Sequence, residues 1–293
     1  MAARAGLIER ARAKINLTLH INKRREDGWH DLESLVAFAG VADRLTLMPG
    51  EPLSLTMSGV GAATLNTEAD NLVLRAAREL QARKDGLQTG AFHLEKSLPI
   101  AAGIGGGSAD AAAALRLLAR ANDIAMDDAR VMEAARATGA DVAVCIDSRA
   151  RMMRGVGGDL SAPIKLPLLY ALLVNPRVAV ETKQVFTRLG LKPGEEMGLG
   201  AHPVVQDGMG FEALLPLLKK GRNDTEDAAQ VIAPVINHVI AVLSAARGCK
   251  LARMSGSGAT CFAVFDTRRA ALVAAQVVKR DHHDWWVAPT VLR

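Results

Sequence analysis

Cysteines, aromatic residues and long apolar runs are all scarce in this sequence, and each scarcity excludes something. The three cysteines, Cys145, Cys249 and Cys261, lie far apart with no C-x-x-C pair. That excludes a disulfide framework and a cysteine zinc site, and reads as reduced core residues of a cytoplasmic protein. His282 and His283 are adjacent, so on a strand they face opposite ways and form no metal pair. Aromatics make up only 3% of residues, and no run of Lys and Arg accompanies the net charge of +5. The chain therefore lacks the stacking faces and basic patch of a nucleic-acid binder, and its mild positive charge suits a small anionic substrate. No apolar run reaches the roughly 18 residues of a membrane span. The opening M-A-A-R-A-G-L-I-E-R-A-R-A-K-I-N-L lacks the apolar core and cleavage site of a secretory signal, and makes no convincing transit peptide. The expected partner is a small molecule, with neither nucleic acid nor membrane, and the expected state is a monomer or weak homodimer.

Glycine, by contrast, is concentrated. G-I-G-G-G-S-A-D-A-A-A-A-L, starting at Gly103, places four glycines in five residues and then opens into alanines. Glycine is costly to order and alanine is the best helix former, so a bare loop feeds directly into a helix N-terminus. Such an end carries unpaired N–H groups and partial positive charge, and it attracts anions. The loop is not a Walker A motif, because Ser108-Ala109-Asp110 follows Gly107 where Lys-Ser/Thr is needed. Nor is it a dinucleotide fingerprint, since G-x-G-x-x-G fails from either Gly103 or Gly105. The alternative, a flexible loop without a ligand, fits poorly with glycines abutting so strong a helix.

Alternation of apolar and polar residues from Arg12 to Ile21 predicts a strand with one fully polar face, bearing Arg12, Lys14, Asn16, Thr18 and His20. Short strands are expected at D-R-L-T-L-M-P, P-L-S-L-T-M-S-G, A-F-H-L-E-K-S-L-P-I and L-L-Y-A-L-L-V. Helices are expected after Asp70 or Asn71, from about Ser108 to Ala121, from about Asp127 to a stop at Gly139, and over V-E-T-K-Q-V-F-T-R-L. Residues 190–210 read as loop. Asp224 to Arg247 reads as a helix interrupted by Pro234 and closed by Gly248. C-K-L-A-R-M-S-G-S-G-A-T-C-F-A-V-F-D predicts two strands around a second glycine turn. Thr267 is placed to cap a further helix, and D-W-W-V-A-P-T-V-L is a last strand. Strands in runs separated by helices indicate an α+β fold.

The run L-P-I-A-A-G-I-G-G-G-S-A-D-A-A-A-A-L resembles the second motif of the GHMP kinases, and the triple glycine is similar to the branch of that family acting in non-mevalonate isoprenoid synthesis. A-R-A-K-I-N-L-T-L-H-I, R-E-D-G-W-H-D-L-E-S, T-G-A-D-V-A-V-C-I, N-D-T-E and M-S-G-S-G-A-T-C-F-A-V-F resemble its other motifs, in order. The resemblance implies a two-lobed fold: a ribosomal-protein-S5-like ATP lobe at 1–155 and a ferredoxin-like substrate lobe at 156–293, with the last strand able to return to the first lobe and the active site in the cleft between. It implies ATP with Mg²⁺ and phosphorylation of a tertiary hydroxyl on a cytidine-diphosphate-linked methylerythritol. Lys14 and Asp141 would be catalytic. Pro99, Ile100, Ala101, Ala102, Gly103, Ile104, Gly105, Gly106, Gly107, Ser108 and Ala109, with Lys96 and Asn71, would hold the nucleotide. Asn16, Trp29, His30 and Phe186 would hold the substrate. The metal ligands stay unassigned.

Read as residues alone, several of these have plainer roles: a solvated strand face for Lys14, helix caps for Asp141 and Asn71, solvation for Lys96, and core positions for Trp29 and Phe186. The sequence also departs from the family pattern. Trp29 stands where Tyr is usual, Ala101 and Ala102 replace glycines, Ala143 replaces proline, and Asp110 adds a negative charge near the expected phosphates. Rival readings are a homoserine- or mevalonate-type kinase without a cytosine pocket, and a non-catalytic nucleotide-binding protein of the same fold.

Overall fold

The computed structural model describes residues 6–59 and 71–293; the expected cap at Asp70 lies outside them. The chain forms two compact units that interleave along the sequence. Among the described residues, one comprises 6–13, 41–59, 71–100 and Gly105–Ser148; the other comprises Lys14–Gly40, Ala101–Ile104 and Arg149–Arg293. The strands β1 (Leu7–Asn16) and β3 (His30–Pro49) contribute residues to both.

In the first unit, β4 (Ser54–Gly59) pairs in parallel with β5 (Gly90–Lys96), which pairs antiparallel with the end of β3, Arg44 opposite Glu95. The helices are α1 (Leu72–Gln81), α2 (Gly106–Ala121), α3 (Ala129–Thr138) and the single turn α4 (Val142–Cys145). Asn71 caps α1, its side chain accepting the Val73 N–H at 3.0 Å. Helix α2 begins two residues earlier than expected, with Gly106 and Gly107 in its first turn, and buries Ala111 to Ala114 completely. Small side chains there let α1 and α3 pack closely on it.

In the second unit, β2 (His20–Arg24) pairs with the start of β3, which also pairs with β6 (Arg151–Gly155), itself paired to the short β7 (Asp159–Leu160). The strands β9 (Cys249–Met254), β10 (Cys261–Phe265), β8 (Leu169–Asn175) and β11 (Trp286–Leu292) lie in that order, all antiparallel. The helices are α5 (Thr182–Arg188), α6 (Phe211–Lys220), α7 (Glu226–Ile232), α8 (Val235–Ala245) and α9 (Arg268–Asp281). Their core joins Leu172, Val174, Ile236, Val239, Phe265 and Ala275.

One element corrects the sequence reading. The strand expected from Arg12 to Ile21 breaks after Asn16, because Leu17 and Leu19 donate their N–H groups to Leu35 and Arg222 carbonyls instead. The expected interruption at Pro234 is present: it divides the helical stretch in two and sits at the N-cap of α8. Helix α3 stops at Gly139 as expected, there in an extended conformation with φ 174°. The expected cap at Thr267 is formed, accepting the Ala270 N–H, and Asp128, which the sequence reading did not single out, caps α3 by accepting the Arg130 N–H. No helix among the described residues is long and apolar enough to cross a membrane, and the three cysteines are free thiols.

Candidate functional site

The polar face that begins on β1 is buried from Lys14 onward. Lys14 and Asn16 are each only 4% exposed, and Thr18 and His20 are buried with them. Burying a lysine and an asparagine costs free energy unless they meet partners, so a buried polar stripe on a strand is built for something. The backbone N–H of Lys14 donates to the Ile104 carbonyl of the glycine loop at 2.9 Å. The N–H of Asn16 donates to Ser255 Oγ at 3.0 Å, and Ser255 Oγ in turn donates to the Gly103 carbonyl at 3.1 Å. The first strand, the first glycine loop and the second glycine turn are thus knitted together within one unit. Asn16 donates its amide to Ser34 Oγ at 2.7 Å, while its Oδ1 is buried with no partner among the described residues. A buried orphan acceptor marks a place for an external donor.

The glycines of the loop divide by role. At Gly103 φ is +70°, and an added Cβ would stand 2.5 Å from the Ser255 carbonyl oxygen, so internal packing demands glycine. At Gly106 and Gly107 the nearest atoms to an added Cβ lie at 3.7 and 3.4 Å, ordinary contacts. Internal packing does not demand glycine there. Gly105 is the N-cap of α2 and supplies no capping side chain, leaving first-turn N–H groups to accept an anion. Ala101, one of the departures from the family glycines, nonetheless adopts φ +49°, a strained conformation for alanine.

Lys96 is not solvated either. Its ammonium donates to Asp110 Oδ2 at 2.8 Å and to Asp43, and all three side chains are buried. Asp43 also accepts the N–H groups of Ser97 and Leu98 at 2.6 and 2.8 Å. The triad therefore joins the chain entering the loop to the helix leaving it. Burial works against the lysine's charge, but the two carboxylates outweigh it and hold its pKa above the usual value. Asp110 turns inward to Lys96. Nothing local in the sequence marked Asp43, whose partner lies 53 positions away.

Asp141 occupies the N-cap position of α4 but makes no capping hydrogen bond there, which removes the plain structural role the sequence suggested. Trp29 is 60% exposed, so it is no core residue. His30 stands opposite Arg24 across the β2–β3 pair, and its ring centroid lies 5.0 Å from that of Phe186. Phe186 packs against Leu19, Ile21 and Leu191. His30 Nε2 is buried without a partner among the described residues. Burial, then the nearby Arg24 charge, lowers its pKa, keeping the imidazole neutral with one donor and one acceptor. Residues 190–210, expected as loop, are tied to β2 by backbone bonds between Arg24 and both Gly194 and Glu195 and between Met197 and Asn22.

The sequence signature of the GHMP kinases N terminal domain matches residues 71–149, and that of the GHMP kinases C terminal domain matches 211–283. With relatives above half identity along nearly its whole length, the chain belongs to the GHMP kinase family. One such relative, from Methylobacterium radiotolerans, is 57% identical over 98% of this chain and 99% of its own, and is a 4-diphosphocytidyl-2-C-methyl-D-erythritol kinase. Another of that name, from Rhodopseudomonas palustris, is 56% identical over 96% of this chain and 95% of its own. Among solved structures, a 4-(cytidine 5'-diphospho)-2C-methyl-D-erythritol kinase matches with TM-score 0.75 and 29% identity over 98% of this chain and 99% of its own. A homoserine kinase from Cytophaga hutchinsonii shares the fold with TM-score 0.70, at 19% identity over 100% of this chain and 96% of its own.

Proposed function

We propose that the protein transfers the γ-phosphoryl group of ATP to the carbon-2 hydroxyl of 4-diphosphocytidyl-2-C-methyl-D-erythritol, a step of non-mevalonate isoprenoid synthesis in the cytoplasm. The observation that carries this reading is the buried Lys14–Asn16 stripe, whose backbone N–H groups donate to the Ile104 carbonyl of the glycine loop and to Ser255 of the second glycine turn. The near full-length identity to kinases of that name supports the choice of acceptor.

In this reading the glycine loop and the uncapped first turn of α2 take the polyphosphate through backbone N–H groups. Bound with the nucleotide, Mg²⁺ would supply neutralisation of the phosphate charge. Asp141 orients the tertiary hydroxyl and accepts its proton. The oxygen–phosphorus bond forms as the bond to the bridging β–γ oxygen breaks, and ADP leaves. Lys14 is the electrostatic partner of the reaction in this reading, its ammonium offsetting charge at the reacting oxygen. Because the transition state is loose, this positioning matters more than basicity. Asn16 offers its unpartnered Oδ1 to a donor on the substrate. His30, flanked by Phe186 and Trp29, reads the cytosine edge.

An ADP-release assay tests the reading: turnover is expected with the cytidylyl alcohol and not with homoserine or mevalonate. ATP binding without turnover of the cytidylyl alcohol would refute it.

A further inference from the structure

The run Asn223-Asp224-Thr225-Glu226 takes no part in the chemistry above, yet all four side chains hold backbone from other segments of their own unit. Asn223 Nδ2 donates to the carbonyls of Met254 and Gly256, each at 2.9 Å. Asn223 Oδ1 accepts the Thr225 N–H at 3.0 Å. Thr225 Oγ1 lies 2.7 Å from Asn223 Oδ1 and 2.8 Å from the Gly256 carbonyl, its one proton shared between them. The Glu226 carboxylate accepts the Met254 N–H at 2.8 Å. Asp224 reaches elsewhere: Oδ2 accepts the Ile21 N–H at 2.7 Å, and Oδ1 accepts from Arg222.

The backbone repeats the division. Leu19 donates to the Arg222 carbonyl and Asp224 donates to the Leu19 carbonyl, both at 2.8 Å. The approach to the run is itself fixed, because the buried Arg253 guanidinium donates to the carbonyls of Leu17, Leu218 and Gly221. The β9–β10 ladder ends at Met254 opposite Cys261, so the turn beyond it has few ladder bonds of its own. Side-chain donors and acceptors from 223–226 stand in for them. The turn they fix carries Ser255, the donor to the Gly103 carbonyl. The strand that Asp224 fixes, β2, leads into the hairpin carrying Trp29 and His30.

We infer that residues 223–226 form a positioning bracket with two separable outputs. Asn223, Thr225 and Glu226 set the second glycine turn, and through Ser255 the first glycine loop, for phosphoryl transfer. Asp224 sets the β2–β3 hairpin for recognition of the base. The assignment of each output to a kinetic step rests on the function proposed above; the bracket itself does not.

The test uses the full chain, steady-state kinetics with ATP and the cytidylyl alcohol, hydrogen exchange and thermal unfolding. Thr225→Val keeps the shape and removes the hydroxyl, so kcat is expected to fall about tenfold while KM for the cytidylyl alcohol stays within about twofold. Thr225→Ser restores the rate. Asp224→Asn gives the opposite split, raising KM for the cytidylyl alcohol about tenfold with kcat nearly kept. In hydrogen exchange, Thr225→Val speeds the amides of 255–258 and not those of 21–30, and Asp224→Asn does the reverse. If Thr225→Val does not fold, Asn223→Ser answers the same question.

Parallel changes in both kinetic parameters and both segments, together with a lowered unfolding temperature, would reduce the run to a general strut and overturn the inference. So would variants indistinguishable from wild type. If the wild-type chain does not turn over the cytidylyl alcohol, the functional reading fails by itself. The exchange pattern then decides the bracket: separate loosening upholds it, and shared or absent loosening refutes it.

Discussion

Gly103 and Gly256 meet backbone to backbone: a Cβ built on Gly256 would stand 2.7 Å from the Gly103 carbonyl oxygen, and both residues have positive φ, +70° and +56°. No side chain fits between the two turns. Gly103→Ala is therefore expected to cost about 1–3 kcal/mol of stability and to lower kcat/KM for ATP more than about tenfold. Gly107→Ala should behave differently, since its added Cβ would have only an ordinary contact at 3.4 Å. The fold is expected to gain up to about 1 kcal/mol from the better helix former while KM for ATP rises. Urea unfolding together with kinetics separates the two outcomes.

Removing the proposed acid–base partners should spare binding and abolish transfer. Asp141→Asn keeps the shape but cannot accept a proton, so kcat is expected to drop about 10²–10⁴-fold. Lys14→Met should lower kcat over a similar range, through the lost charge at the reacting oxygen. Calorimetric titration with a non-hydrolysable ATP analogue should give near wild-type affinity for Asp141→Asn. A parallel loss of ATP binding would move Asp141 out of the transfer step.

His30 carries a buried Nε2 without a partner among the described residues. If cytosine fills that vacancy, His30→Ala should raise KM for the cytidylyl alcohol by about 1–3 kcal/mol, or roughly 5- to 150-fold, and leave KM for ATP unchanged. Activity indifferent to the substitution would favour a kinase for a smaller alcohol.

The Asp43–Lys96–Asp110 triad makes stability depend on pH in an unusual direction. Burial, partly offset by the Lys96 ammonium and reinforced by Asp43, pushes the Asp110 pKa up to about 7. The folded state then holds a proton that the unfolded state releases near pH 4. Asp110's contribution to stability is complete at low pH and is lost as pH rises toward 7. Asp110→Asn, which mimics the protonated acid, should flatten the slope of unfolding temperature against pH between about 4 and 7 relative to wild type. Lys96→Met, which leaves two buried carboxylates unanswered, should cost about 3–5 kcal/mol at pH 7.

How much of this was readable beforehand depended on whether a residue's partner lay nearby. The glycine loop, the helix behind it and the caps at Asn71 and Thr267 follow from neighbours within a few positions, and the sequence showed them. Strand β3 was expected only at its D-R-L-T-L-M-P end, because the buried stretch Val36-Ala37-Phe38-Ala39 has no alternation to mark it. Helix α6 went unassigned, with Pro216 inside it arguing against a helix. Lys14 read as solvated because the elements that bury its strand are far away in sequence. Asp43 gave no signal at all, since only the folded chain brings Lys96 to it. The order of the family motifs supplied what periodicity could not.

The sealing of Lys96 bears on how the loop chooses its ligand. Its ammonium is already answered by two carboxylates, and no other lysine or arginine lies between it and Arg116. The loop itself therefore presents oriented peptide dipoles and no fixed side-chain cation. Dipoles select by direction and distance far more than by total charge. Inorganic sulfate or phosphate matches a polyphosphate in sign but not in length, and can align with only part of such a cradle. On the function proposed above, such a loop would admit a nucleotide in a pool of free anions by measuring the chain of phosphates instead of counting their charge.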